Sequence, residues 1–178
     1  MTPEQNNFAC IDGANLHNGV VTLGWHLDYA RFRVWLAEKY AVKRAYLFLG
    51  LVPRYKDLYK YLQEVGYTLV FKETVNDDKG NVKGNCDADQ VLQATRDFFE
   101  KKCDQTVLVS SDGDYASLVK FLIEKGIFRV ILSPGLKCSV LLKRTSARIS
   151  YLHDQRTILE AKKEKAPNMD KTISGSFS

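Results

Sequence analysis

Four aspartates stand where short apolar runs end or amphipathic segments begin: Asp12 in FACIDGAN, Asp87 in KGNCDADQ, and Asp112 with Asp114 in VLVSSDGDY. Carboxylates scattered over a surface cost little. Gathered at one end of a parallel sheet they repel one another, and such a cluster is tolerated when a hard divalent cation neutralises it. The acids lie about 75 and 25 residues apart, separations that βα units bridge. Oxygen ligands without histidine or thiolate select Mg2+ or Mn2+ over zinc. An ion so held clamps a phosphate oxygen and helps to generate hydroxide from water, so in-line attack on a phosphodiester needs no side-chain nucleophile. The expected chemistry is metal-dependent phosphoryl transfer.

Each acid also has a plainer use. Asp12 is followed by Gly13, Ala14 and Asn15; the small residues let the backbone turn sharply and a bulky group approach, but Asp-Gly also makes Asx-turns and helix N-caps. Asp87 can cap the segment that follows it, and Asp89, two residues on, need not face the same way and ranks below it. Asp112 and Asp114 are two acids where a cap requires one, and Gly113 between them lets the loop turn both toward one point. In a sheet of order 3-2-1-4-5, strands one and four are neighbours at the topological switch point, which would set Asp12 beside Asp112. Lys83, four residues before Asp87, is a candidate to pair with a scissile phosphate or to position a water; a loop lysine is equally at home in solvent.

The elements that must position these residues are legible. Asn7–Ile11, Ala45–Gly50, Thr68–Lys72, Thr106–Ser110, Arg129–Leu132 and Arg148–Leu152 are short and apolar. Continuous rather than alternating apolar runs predict strands covered on both faces, hence a parallel sheet. Helical periodicity covers Tyr29–Tyr40, Asp57–Val65, Ala88–Lys102 and Tyr115–Lys125. The clearest amphipathic stripe is Ala88, Val91, Leu92, Thr95, Phe98 and Phe99. Alternating strands and helices predict an α/β layered fold with right-handed crossovers. Trp25 and Trp35 read as packing residues near the first helix. The polar stretch Glu73–Asn85, with its DDKGN turn signal, reads as a hairpin or a substrate-contacting flap. We expect one domain over 1–160 and a frayed tail over 161–178, where apolar periodicity is lost.

The bulk numbers narrow the class. The chain has 178 residues, 45% hydrophobic and 26% charged, with a net charge of +5, as expected of one globular domain. With several acids assigned to one site, the remaining surface is basic and suits a polyanion. No run approaches the ~20 apolar residues of a membrane span, and the start, MTPEQNNFACIDG, does not read as a signal peptide. Cys10, Cys86, Cys103 and Cys138 form no CxxC pair, and His17, His26 and His153 show no ligand spacing. Reduced thiols in a cytoplasmic protein are therefore expected, and a zinc site is not. There is no GxxxxGK[ST] loop, no GxSxG elbow and no GxGxxG after the first strand.

The pieces IDGANL (Ile11–Leu16), KGNCDAD (Lys83–Asp89) and LVSSDGDYASLVKFLIEKG (Leu108–Gly126) resemble, in order, the motifs of the NYN domain. That domain is a branch of the PIN-like nuclease superfamily, and the likeness is to its bacterial LabA-like members, over roughly Phe8 to Leu152. The resemblance implies a Rossmann-like three-layer α/β/α sandwich with a mainly parallel central sheet. It also implies divalent-metal-dependent ribonuclease activity; with the oxygen-only ligands, the expected protein is a Mg2+- or Mn2+-dependent endoribonuclease. By position, Asp12, Asp87, Asp112 and Asp114 fall on the family's acidic site, as catalytic and metal-ligating residues. Asn15 falls on its recurring asparagine, expected to touch metal-bound water or substrate, and Lys83 on the lysine opening the middle motif. Where the third motif commonly reads SGDGDF, Ser111 stands for the glycine and Tyr115 for the phenylalanine. An RNA substrate with unpaired regions would be gripped by Arg54, Lys56, Lys137, Lys143 and Arg144, with Tyr55 and Tyr115 stacking on bases. The rival readings are a non-catalytic RNA- or protein-binding module on the same fold, and a metal-dependent DNase or nucleotide phosphatase. An open basic groove would favour a polymer and a closed pocket a nucleotide; a homodimer is compatible with either.

Overall fold

Strand β1 (Asn7–Asp12) is buried along its length until its last residue, Asp12, which is only half-buried. A strand that apolar on both faces must lie inside a sheet, and here it is flanked by two parallel neighbours, β2 (Val42–Gly50) and β6 (Thr106–Val109). With β3 (Tyr67–Lys72), β7 (Phe128–Ser133) and β8 (Ile149–Tyr151) they form one six-stranded parallel sheet of order β3-β2-β1-β6-β7-β8. The computed structural model describes residues 5–72, 75–76, 82–83 and 87–162, the two short pairs by their backbone alone. Those pairs are β4 (Val75–Asn76) and β5 (Val82–Lys83), paired antiparallel in a sheet of their own. Residues 77–81, between them, Cys86 and residues 163–178 lie outside the described residues.

Alternation along β1 divides two cores. Ala9 and Ile11 face one of them with residues of α1 (Gly13–Thr22), α2 (Tyr29–Tyr40), α3 (Lys56–Glu64) and α7 (Arg156–Leu159). Phe8 and Cys10 face the other with residues of α4 (Asp87–Phe99), α5 (Ala116–Glu124) and α6 (Val140–Lys143). The result is the expected α/β/α sandwich. Trp25 and Trp35 are buried in the first core, as expected of packing residues. Cys10, Cys103 and Cys138 are free thiols. No helix among the described residues is long and apolar enough to cross a membrane.

Of the readings for Asp12, the structure takes the helix N-cap: the residues after it begin helix α1, which helical periodicity did not mark and which follows β1 without a loop. Its sequence, GANLHNGVVT, holds two glycines and two asparagines and so has poor intrinsic propensity. Asp12 caps it, and Gly19 admits the 134–135 turn, where an added Cβ would stand 2.6 Å from Pro134 Cβ. One expectation needs correction: helix α4 departs from its apolar stripe. Its buried positions are Gln90, Ala94 and Asp97, while Leu92 and Phe99 are exposed. The polar residues turn inward because they find partners there: Asp97 Oδ1 accepts from Gln93 Nε2 at 3.0 Å, and Gln90 meets Tyr115. At the chain's far end, Leu159 O accepts from Asp28 N at 2.8 Å, and Leu27 bridges Glu160, which ties the last described segment to the start of α2.

Candidate metal centre

The carboxyl ends of β1 and β6 lie side by side, with Ile11 paired to Val109. The acids project from there because the chain leaves both strands into helical turns. Asp12 is the N-cap of α1, its Oδ1 accepting from Asn15 N at 3.0 Å. Past β6, Asp112 caps the 3-10 turn Gly113–Tyr115, its Oδ1 accepting from Asp114 N at 3.0 Å. Asp87 opens α4. The cap roles of Asp12 and Asp112 are therefore real and orient those carboxylates at the sheet edge, whereas Asp87 is the first residue of α4 rather than its cap.

Asp87, Asp112 and Asp114 each place a carboxylate oxygen within 4.8 Å of the other two. Asp12 forms the floor beneath them and does not belong to that tight group. Its Oδ2 accepts from Ser110 Oγ at 3.4 Å and lies 3.5 Å from the Tyr115 hydroxyl. Burial, with the charges of Asp87 and Asp112 adding to it, pushes the Asp12 carboxyl up to about 6. A floor acid so disfavoured as an anion, beneath three more carboxylates, is the electrostatic mark of a site that a cation would relieve. The donors are all oxygen, which fits Mg2+ or Mn2+ and disfavours zinc.

Sequence reasoning missed Ser110. It is fully buried, donates to Asp12 and accepts from Asp112 N at 3.1 Å, joining the two strand ends. A small hydroxyl residue between an apolar strand and SDGD was the available signal. Asn15 has its Oδ1 taken by the Ser111 N and Oγ donors at 2.8 and 3.0 Å, so it ties α1 to the β6 loop through that atom. Asp89 is half-buried on α4 and outside the tight group. Lys83 lies in β5, with its side chain outside the described residues.

The expected base-stacking roles of Tyr115 and Tyr55 do not hold. Tyr115 is fully buried and Tyr55 nearly so, because each ring packs into a core, and neither can meet a base. Arg54 and Lys56 are exposed beyond the carboxyl end of β2, with the Arg54 guanidinium 4.8 Å from the Tyr55 ring. Lys137, Lys143 and Arg144 are exposed around α6. That segment packs directly on the acidic turn: Ser139 N donates to Ser111 O at 3.0 Å, and a Cβ on Gly113 would stand 2.5 Å from Ser139 Oγ. Leu136, Val140 and Leu141 beside these cations are exposed as well.

Among solved structures, the chain is similar to a protein of unknown function from Vibrio parahaemolyticus. The TM-score is 0.68 at 20% identity, over 89% of this chain and 99% of that one, a likeness of fold. No curated protein matches. The sequence model of the NYN domain matches residues 9–152, a span that runs from β1 through all four aspartates to the end of the sheet. The chain belongs to the NYN domain family, within the PIN-like nuclease superfamily.

Proposed function

We propose that this chain is a divalent-metal-dependent endoribonuclease. Asp87, Asp112 and Asp114 would hold Mg2+ or Mn2+, and Asp12 would complete the negative field from the floor. The observation that carries the reading is the meeting, within 4.8 Å, of three carboxylates from two separate elements beside a half-buried acid, Asp12, whose carboxyl is pushed up to about 6. A bound ion supplies charge neutralisation at the phosphate and a lowered pKa for attacking water. The protein's own part is to fix the acids, through the caps of α1 and of the 113–115 turn and through Ser110, so that little reorganisation is needed when phosphate arrives.

Support for a polymer over a small nucleotide comes from the rim. Asp114 is exposed, so the group opens to solvent. Around α6, Lys137, Lys143 and Arg144 offer charge to a phosphate backbone, while Leu136, Val140 and Leu141 offer apolar surface to unpaired bases. The test is cleavage of a labelled single-stranded RNA with Mn2+, Mg2+ or EDTA by the wild type and by Asp112→Asn. Metal-dependent cutting that Asp112→Asn loses is the expected result. Equal cutting by both would mean a contaminant, and RNA binding without cutting by either would make the chain a binding module.

A further inference from the structure

Tyr115 ends the short turn that carries Asp112 and Asp114 near its start, yet its ring points the other way, into the core between α4 and α5. It is 0% exposed. The hydroxyl emerges beneath the acids, 2.6 Å from Asp87 Oδ1, 3.2 Å from Gln90 Oε1 and 3.5 Å from Asp12 Oδ2. A phenol has one proton to donate, and the short, charge-assisted contact to Asp87 claims it. Gln90 is fully buried, and its Nε2 has no partner among the described residues. Turning that amide over lets Nε2 donate to the Tyr115 oxygen, which satisfies a costly buried donor. The chain of donors then runs Gln90 to Tyr115 to Asp87.

We propose that Tyr115 is a positioning residue that holds Asp87 over the floor acid, with Gln90 orienting the phenol from behind. The inference rests on the metal-dependent reading of the site. Asp87 is the first residue of its helix, and its carboxylate sits among three others that repel it; a fixed donor keeps it in place before any cation binds. A carboxylate has about four lone-pair sites, so accepting the phenol at Oδ1 does not stop it from taking an ion. One short turn thus delivers Asp114 directly and tethers Asp87 through Tyr115, coupling the acid on α4 to those after β6.

The test is Mn2+ affinity, read from the electron paramagnetic resonance signal of free Mn2+, for wild type, Tyr115→Phe and Gln90→Leu. Thermal melting and RNA-cleavage kinetics are measured alongside. Tyr115→Phe keeps the ring that fills the core. Its Kd for Mn2+ should rise about tenfold or more, the usual effect of losing a group that orients a metal ligand. Its kcat should fall with KM for RNA unchanged, because a fully buried side chain does not touch substrate. Gln90→Leu should shift Kd in the same direction by less. A Tyr115→Phe protein that melts lower but binds Mn2+ like wild type would overturn the proposal, leaving the tyrosine a packing residue. If Tyr115→Phe does not fold, unchanged Mn2+ affinity in Gln90→Leu would overturn it. Wild type that binds no Mn2+ would instead defeat the metal-dependent reading itself, and the tether with it.

Discussion

Asp12 concentrates the conflict between stability and site assembly in one residue. The folded chain holds the Asp12 proton up to about 6, whereas the ordinary carboxyl releases it near 3.8. Between these values the native state binds more protons than the unfolded one, so this group's contribution to stability falls as pH rises through that window and stays low above it. The penalty at neutral pH is at most on the order of 3 kcal/mol. In EDTA, Asp12→Asn should therefore melt higher than wild type at pH 7, and the gap should close at pH 4. Asparagine keeps the N-cap of α1, so the comparison isolates the charge. A difference that does not vary with pH would show that the charge is not the cause.

At the scale of elements, the Gly113 turn and α6 are one packed unit. An added methyl group at Gly113 would meet Ser139 Oγ at 2.5 Å and Leu141 Cδ1 at 3.1 Å. Gly113→Ala should cost about 1–3 kcal/mol in denaturant unfolding. It should also weaken Mn2+ binding, because Asp112 and Asp114 flank the residue that must shift. The strands were legible because apolar continuity marks burial on both faces, and their ends fell within a few residues. The start of β2 was missed because Lys43 and Arg44 are exposed and interrupt the apolar run. Helix α1 was hidden for a different reason: its stability comes from Asp12 as cap and from the fit of Gly19 against Pro134, and neither shows in local propensity. The inward face of α4 was misread because Gln90 and Asp97 are paid for by partners far away in sequence, Tyr115 and Tyr46. The same blindness hid the tether to Asp87. The aspartates themselves were readable as a group, since four acids at predicted strand and helix ends point to one sheet edge once the strand order is set. What the sequence did not reveal was the division of labour, three acids in a tight group and the fourth beneath it.

Across the whole molecule, charge is segregated. A chain of net charge +5 gathers four aspartates at one edge of its sheet and sets exposed cations beside them on α6. Replacing Lys143 and Arg144 together by glutamate should raise KM for RNA without weakening Mn2+ binding. It should also flatten the dependence of RNA affinity on salt, since fewer counterions are released from the strand. An unchanged salt slope, measured by filter binding, would place the RNA path elsewhere. The position of β1 carries a consequence for how the chain is made. One edge of the strand pairs with β2, soon after it in sequence, but the other waits for β6, and Ser110 follows Asp12 by 98 residues. During synthesis, this buried strand keeps one unpaired edge until β6, almost a hundred residues later, has emerged, an exposure that favours misassociation and a role for chaperones.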